Sequence, residues 1–175
     1  MIVHFYVPDV LKNVLSENPH RIKDTDSKGM TPLSYAASIG YLEGVRYLLE
    51  KCADYTYESD QNGFFPIHIA SSRGHIEVIK EIILRCPDSI ELLDHQGQNI
   101  LHVAAMKGKA KVVNYMLKTP ELKMLINEKD KDGNTALHLA SKGRHPKAVS
   151  ILTWDKRVEV VEQKWRDSSR HCGKV

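Results

Sequence analysis

Four segments of this chain repeat one pattern, and that repetition constrains the fold more than any other feature. Each begins with Asp-x-x-Gly, at Asp26, Asp60, Asp94 and Asp130, and leads into a short apolar helix and then a longer one. The turn glycines Gly29, Gly63, Gly97 and Gly133 stand 34, 34 and 36 residues apart, and Ala36, Ala70, Ala104 and Ala140 keep the same intervals. A period in this range specifies stacked helical hairpins, each burying its apolar face only against its neighbours. The predicted fold is an all-α solenoid of helix-turn-helix units with projecting turns.

The first full unit, DSKGMTPLSYAASIGYLEGVRYLLEKC, carries the local logic. Gly29 supplies a turn whose positive φ costs it nothing sterically. Thr31 is the expected N-cap and Pro32 the first helical residue. Leu33, Ala36 and Ala37 form a narrow apolar face, and Gly40 ends the helix. Leu42, Val45, Leu48 and Leu49 then recur at the helical period, as do Ile76, Ile79, Ile82 and Ile83 one unit later. The second unit has Phe65 in place of the capping threonine, the third has Asn99, and the fourth restores Thr135. The fourth unit reads as one residue short between Ala140 and Gly143, with Pro146 early in its second helix, where only the first turn tolerates it. Two extra residues in TPELKMLINEKD predict an added helical turn.

These signals set the expected boundaries: a partial N-terminal repeat or cap over 1–21, four repeats over 22–153 (26–59, 60–93, 94–129 and 130–153), and a charged tail over 154–175. Val14 and Leu15 lie 34 residues before Leu48 and Leu49, which suggests a second helix without its partner. No Asp-x-x-Gly turn follows Leu152, so the tail is expected as a short capping helix or a partly disordered end.

A formal net charge of +3, with Lys and Arg interspersed among Asp and Glu, argues against nucleic acid or an anionic membrane surface as the partner. No apolar run reaches the roughly 20 residues that span a bilayer, and the start lacks the pattern of a secretory signal. Cys52 and Cys86 occupy equivalent positions 34 residues apart, where stacked helices roughly 8–10 Å apart exceed disulfide reach. With the lone Cys172, this suits a reducing, intracellular setting.

Catalysis, metals and cofactors are not expected. Repetition explains nearly every Ser, His and Asp, and no Gly-x-Ser-x-Gly elbow or phosphate-cradling loop occurs. His68, His102 and His138 are equivalent positions about one helix spacing apart, too far to share a zinc ion whose ligands sit near 2 Å. His75 and His145 begin second helices and suggest a local turn role. DKDGNTALH has Leu139 where a calcium loop needs its last glutamate.

What remains is a surface built from positions that vary while the framework stays fixed. In the turns these are Lys28, Met30, Asn62, Phe64, His95, Gln96, Gln98, Lys131 and Asn134, with Ser27 and Gln61 beside them. On the first helices they are Ile39, Arg73, Met106, Lys107 and Lys142, with Ser38 and Ser72. Phe64 on a turn tip is costly to expose and typical of a hot spot. The alternative is packing against the adjacent turn, which is also the reading for Phe65.

TPLSYAA, FPIHIAS, NILHVAA and TALHLAS, each after Asp-x-x-Gly and before a Gly-led second helix, resemble the Thr-Pro-Leu-His-x-Ala-Ala helix start of ankyrin repeats over residues 22–153. Ser34 in place of His and Phe65 in place of Thr are departures. The resemblance implies an ankyrin-repeat solenoid whose histidines hydrogen-bond within and between repeats. Segments such as AASIGYLEGVRYLLEKC, CPDSIELLDHQGQNILHVAA and LTWDKRV are similar to plant ankyrin proteins of the accelerated-cell-death type, which carry a C-terminal membrane domain and act in defence and stress signalling. The expectation is a non-catalytic module that binds a protein partner on its concave turn and helix face, in the cytoplasm or at the cytoplasmic side of the plasma membrane through partners. Arg73, Lys107 and Lys142 would face an acidic or mixed partner, with Phe64 and Met106 as apolar anchors. The alternative is a truncated or regulatory fragment of a membrane-anchored ankyrin signalling protein, self-associating with longer relatives.

Overall fold

The structure, a computed structural model, describes residues 24–158. The partial repeat expected over 1–21 and the tail after 158 lie outside the described residues. The described residues form helix pairs α1 (Pro32–Ile39) and α2 (Leu42–Lys51), α3 (Pro66–Arg73) and α4 (Ile76–Arg85), α5 (Ile100–Met106) and α6 (Ala110–Lys118), and α7 (Ala136–Lys142) and α8 (Pro146–Trp154). First helices stack in chain order, α1 on α3, α3 on α5 and α5 on α7, while α2 packs on α4 and α6 on α8. One core runs through the stack, with Leu48, Ile82 and Met116 as equivalent side chains all but fully buried. The small Ala36, Ala70, Ala104 and Ala140 are fully buried between first helices, where a larger side chain would hold neighbours apart.

The caps follow the residue chemistry. Thr31 Oγ1 accepts from the Ser34 N–H at 3.1 Å, and Asn99 Oδ1 accepts from Leu101 and His102 N–H at 3.0 Å each. Phe65 makes no side-chain cap bond. Gly40, Gly74 and Gly108 end the first three short helices at φ of 73°, 97° and 64°.

The fourth unit corrects the expected deletion. Arg144 occupies the left-handed position, at φ 56°, and Gly143 is ordinary right-handed backbone at φ −76°. Arg144 therefore stands where the other repeats have glycine, and the unit is full length. Pro146 is then the first residue of α8, the place where a missing N–H costs no helical bond.

The extra turn expected in TPELKMLINEKD exists as a 3₁₀ helix, Pro120–Leu125, but it is not peculiar to that repeat. Ala53–Tyr57 and Pro87–Glu91 make the same turn. Residues 155–158 continue the fourth unit in a similar way. Asn127 Nδ2 donates to the Arg157 carbonyl at 2.7 Å, Arg157 donates to the Leu117 carbonyl, and Val158 is buried in the core. The packed array thus runs through Val158, past the expected boundary at 153.

Candidate functional site

The four turns project as fingers, each locked by its first aspartate. Oδ1 of Asp26 accepts from the N–H groups of Lys28 and Met30, and Asp60, Asp94 and Asp130 do the same two and four residues on, at 2.8–3.0 Å throughout. Those backbone bonds hold the Asp26 carboxyl below its usual range. Neighbouring fingers are stitched by a second row. The Gln61 N–H donates to the Lys28 carbonyl and Gln61 Nε2 to the Ser27 carbonyl; the Lys131 N–H donates to the Gln96 carbonyl and Lys131 Nζ to the His95 carbonyl.

Two sets of histidines brace this face from behind. His68 and His102 reach forward, donating through Nε2 to the carbonyls of Gln98 (3.0 Å) and Asn134 (3.1 Å) in the next finger. Burial pushes His68 down to about 4 and also lowers His102, so both rings are neutral at pH 7. The neutral His102 ring, donating from Nε2, accepts the Asn99 N–H at Nδ1 (3.3 Å), and Nδ1 of His138 receives the Thr135 N–H at 3.2 Å. His75 and His145 reach backward instead, donating to the carbonyls of Ser38 (3.2 Å) and Met106 (2.9 Å) in the preceding repeat. Their expected local turn role is corrected, since both cross a repeat boundary. The rings fill the space beside Gly40 and Gly108, where an added Cβ would lie 2.5 Å from each Nδ1. The fingers and the first helices thus form a braced platform.

On this platform lies a groove of about 650 Å³ between the fingers and first helices of repeats one and two, extending onto repeat three. It unites Lys28, Met30, Asn62, Phe64, Arg73 and Lys107 from the sequence-predicted set with Ser38 and Ser72. Tyr35, Ile69 and Lys109 also line it and were not anticipated. Tyr35 had a readable signal: it replaces the aliphatic Ile69, Val103 and Leu139 of the other first helices, and it is 46% exposed. Phe64 both lines the groove and stacks on His68, its ring centroid 6.2 Å away, whereas Phe65 packs on the core.

The other predicted residues lie outside the groove. Gln96 is an exposed finger tip, Ile39 is half-buried, and Lys142 is exposed on α7. Gln98 is a correction: it is 7% exposed, because its Nε2 donates to Asp130 Oδ2 of the next finger at 3.3 Å. Asn134 is likewise tied to its own finger, donating to both carboxylate oxygens of Asp130. His95 and Lys131 are exposed yet belong to the inter-finger row, the His95 ring lying over Gly63. Met106 is half-buried, and its carbonyl receives His145.

On the opposite face, ion pairs join α2 and α4. Glu81 accepts from Arg46 Nε at 3.0 Å and Arg85 Nε at 2.7 Å, which clamps α2 to α4, and the two arginines also reach Glu43 and Glu50. The Arg85 bond leads in holding the Glu81 carboxyl below its usual range. Among the described residues no group of His, Cys, Asp and Glu could hold a metal ion, and no helix is long and apolar enough to cross a membrane.

A family model for ankyrin repeats (3 copies) matches residues 2–89 and again residues 67–164. No curated protein matches the chain.

Proposed function

The chain belongs to the ankyrin-repeat family, whose members are generally protein-interaction modules and typically non-enzymatic, and from that premise we propose that it binds a protein partner on its finger and first-helix face. One observation carries the reading. The framework residues are consumed in bracing the fingers, while six of the residues that vary between repeats, Lys28, Met30, Asn62, Phe64, Arg73 and Lys107, line one groove. Phe64, Tyr35 and Met30 supply apolar contact there, and Arg73 and Lys107 supply exposed charge. Aromatic and arginine side chains at the centre of a surface are the usual anchors of an interface.

The likeness of several segments to plant ankyrin proteins of the accelerated-cell-death type supports a setting in defence or stress signalling, and membrane-anchored relatives would be natural partners. The cysteine pattern supports a cytoplasmic location. The test is capture of partners from a lysate by the full chain, by a Phe64→Ala/Arg73→Glu/Lys107→Glu variant and by a Leu84→Ser control on α4. The groove variant should lose partners that the control keeps. If it retains every partner of the parent chain, the reading is wrong.

A further inference from the structure

We infer that the groove takes an extended acidic segment of a partner, with one large apolar side chain at the repeat-one end and acidic side chains toward repeat four. This rests on reading the finger face as the protein-binding surface. The groove is chemically graded along the stack. Its apolar wall, Tyr35, Met30 and Phe64, comes from repeats one and two. Lys28 contributes one cation from the first finger, but most of the positive charge lies further along the stack: Arg73 ends α3, Lys107 caps the end of α5, Lys109 leads into α6, and Lys142 and Arg144, outside the groove lining, continue the series on repeat four.

These cations are available. None of them is in an ion pair among the described residues. On the opposite face of repeats one and two, by contrast, Arg46, Lys80 and Arg85 are each paired with a glutamate at 2.7–3.0 Å. Two acids, Asp26 and Asp60, line the groove with them, but neither forms an ion pair with a groove cation, and the lining keeps an excess of positive charge from Lys28, Arg73, Lys107 and Lys109. Asp26 and Asp60 direct Oδ1 into their own finger backbones, and Asp132 sits at the tip of the last finger, away from the groove lining. A surface that leaves cations unpaired in a row attracts complementary charge and gains specificity from it.

Spacing sets the register. Successive first helices stand roughly 8–10 Å apart, and an extended chain in the polyproline II conformation advances about 3.1 Å per residue with three residues per turn, so every third side chain faces the same way. An acidic side chain about every third residue therefore meets Arg73, Lys107 and Lys142 in turn. A single-stranded nucleic acid would also offer anions and stacking bases. The short charged row, the net charge of +3 and the single apolar wall favour the peptide.

The experiment uses the full chain and a fluorescein-labelled peptide of about ten residues, with a tryptophan followed by glutamate at every third position in a Ser/Thr background. Fluorescence anisotropy should show binding that weakens with salt. It should fall at least about tenfold with Arg73→Glu/Lys107→Glu, and it should fall when the peptide glutamates become glutamines. The charge-matched Lys111→Glu/Lys118→Glu on α6 should keep it, and circular dichroism should show each variant folded. The inference is overturned if the glutamate peptide fails to bind, if the glutamine peptide binds equally well, or if an oligoribonucleotide binds more tightly through the same cations. None of these outcomes touches the lysate capture that tests the finger face itself. A glutamine peptide released by Tyr35→Ala/Phe64→Ala would uphold that face while refuting its acidic preference.

Discussion

Arg144→Gly should stabilise the protein, although it removes a side chain and adds no contact. Arg144 holds φ at 56°, where Gly40, Gly74 and Gly108 hold the equivalent turns at 73°, 97° and 64°. A residue with a Cβ pays about 1–2 kcal/mol for the left-handed region. Glycine avoids that cost but loses more freedom on folding, which returns about 0.5–1 kcal/mol. The closing bonds, Arg144 N–H to the Ser141 carbonyl and His145 N–H to the Ala140 carbonyl, both at 3.0 Å, are backbone bonds and survive the change. The net gain lies between about 0 and 1.5 kcal/mol, with a midpoint of about 0.8 kcal/mol, at about 2–4 °C of melting temperature per kcal/mol for a chain of this size. Urea unfolding followed by far-UV circular dichroism should show a higher midpoint with an unchanged slope. Arg144→Ala keeps the strained backbone and should move the midpoint little. Gly143→Ala should lower it, because its Cβ would lie 2.7 Å from the His145 ring. A lower midpoint for Arg144→Gly, or a higher one for Gly143→Ala, would refute the assignment of the turn to Arg144.

Asn99→Ala should cost about 2 kcal/mol, more than the about 1 kcal/mol of Thr31→Ala. Asn99 caps α5 and also donates to the Leu125 carbonyl and to Glu128, and the two urea midpoints compare them directly. The burial that holds His68 near 4 means the unfolded chain takes up its proton first. Stability should be full above the ordinary value of about 6.5 and fall by about 3 kcal/mol as pH drops from there to 4, and His68→Gln should flatten that limb of a pH series. Glu81, depressed by Arg85 and Arg46, adds stability above the ordinary carboxylate range and loses it as pH falls through its own value; Glu81→Gln should therefore weaken the α2–α4 clamp at neutral pH and remove part of the acid-limb slope. Gly40→Ala should destabilise twice over, through its φ of 73° and through a Cβ placed against the His75 ring, and its thermal melt should lie below that of Thr31→Ala.

The repeat, the finger aspartates and the caps were legible because each rests on a residue whose chemistry acts locally: glycine for positive φ, threonine or asparagine for orphan N–H groups. Arg144 was not, because Gly143 offered a more familiar candidate one residue early. Counting back from Pro146, which must lie in a first turn, would have placed the turn correctly. The reach of His75 and His145 to a preceding repeat was hidden because sequence shows where a ring is attached and not which way it turns. Gln98 looked like a variable contact, yet its burial depends on Asp130 of the next finger. Tyr35 sits inside the helix-start motif, among framework positions, so the repeat pattern alone does not mark it as surface. The 3₁₀ turns after α2 and α4 have no length anomaly to mark them, unlike the one after α6, although Pro87 opens the second turn as Pro120 opens the third.

The most direct test of the binding face is site-specific photocrosslinking in a lysate. p-Benzoylphenylalanine is placed at Phe64 in the groove or at Leu84, 75% exposed on α4. Crosslinked partners from the Phe64 position, competed away by excess unmodified protein and absent from Leu84, are the predicted result. Specific adducts from Leu84 with none from Phe64 would put the binding surface on the second helices and contradict the account.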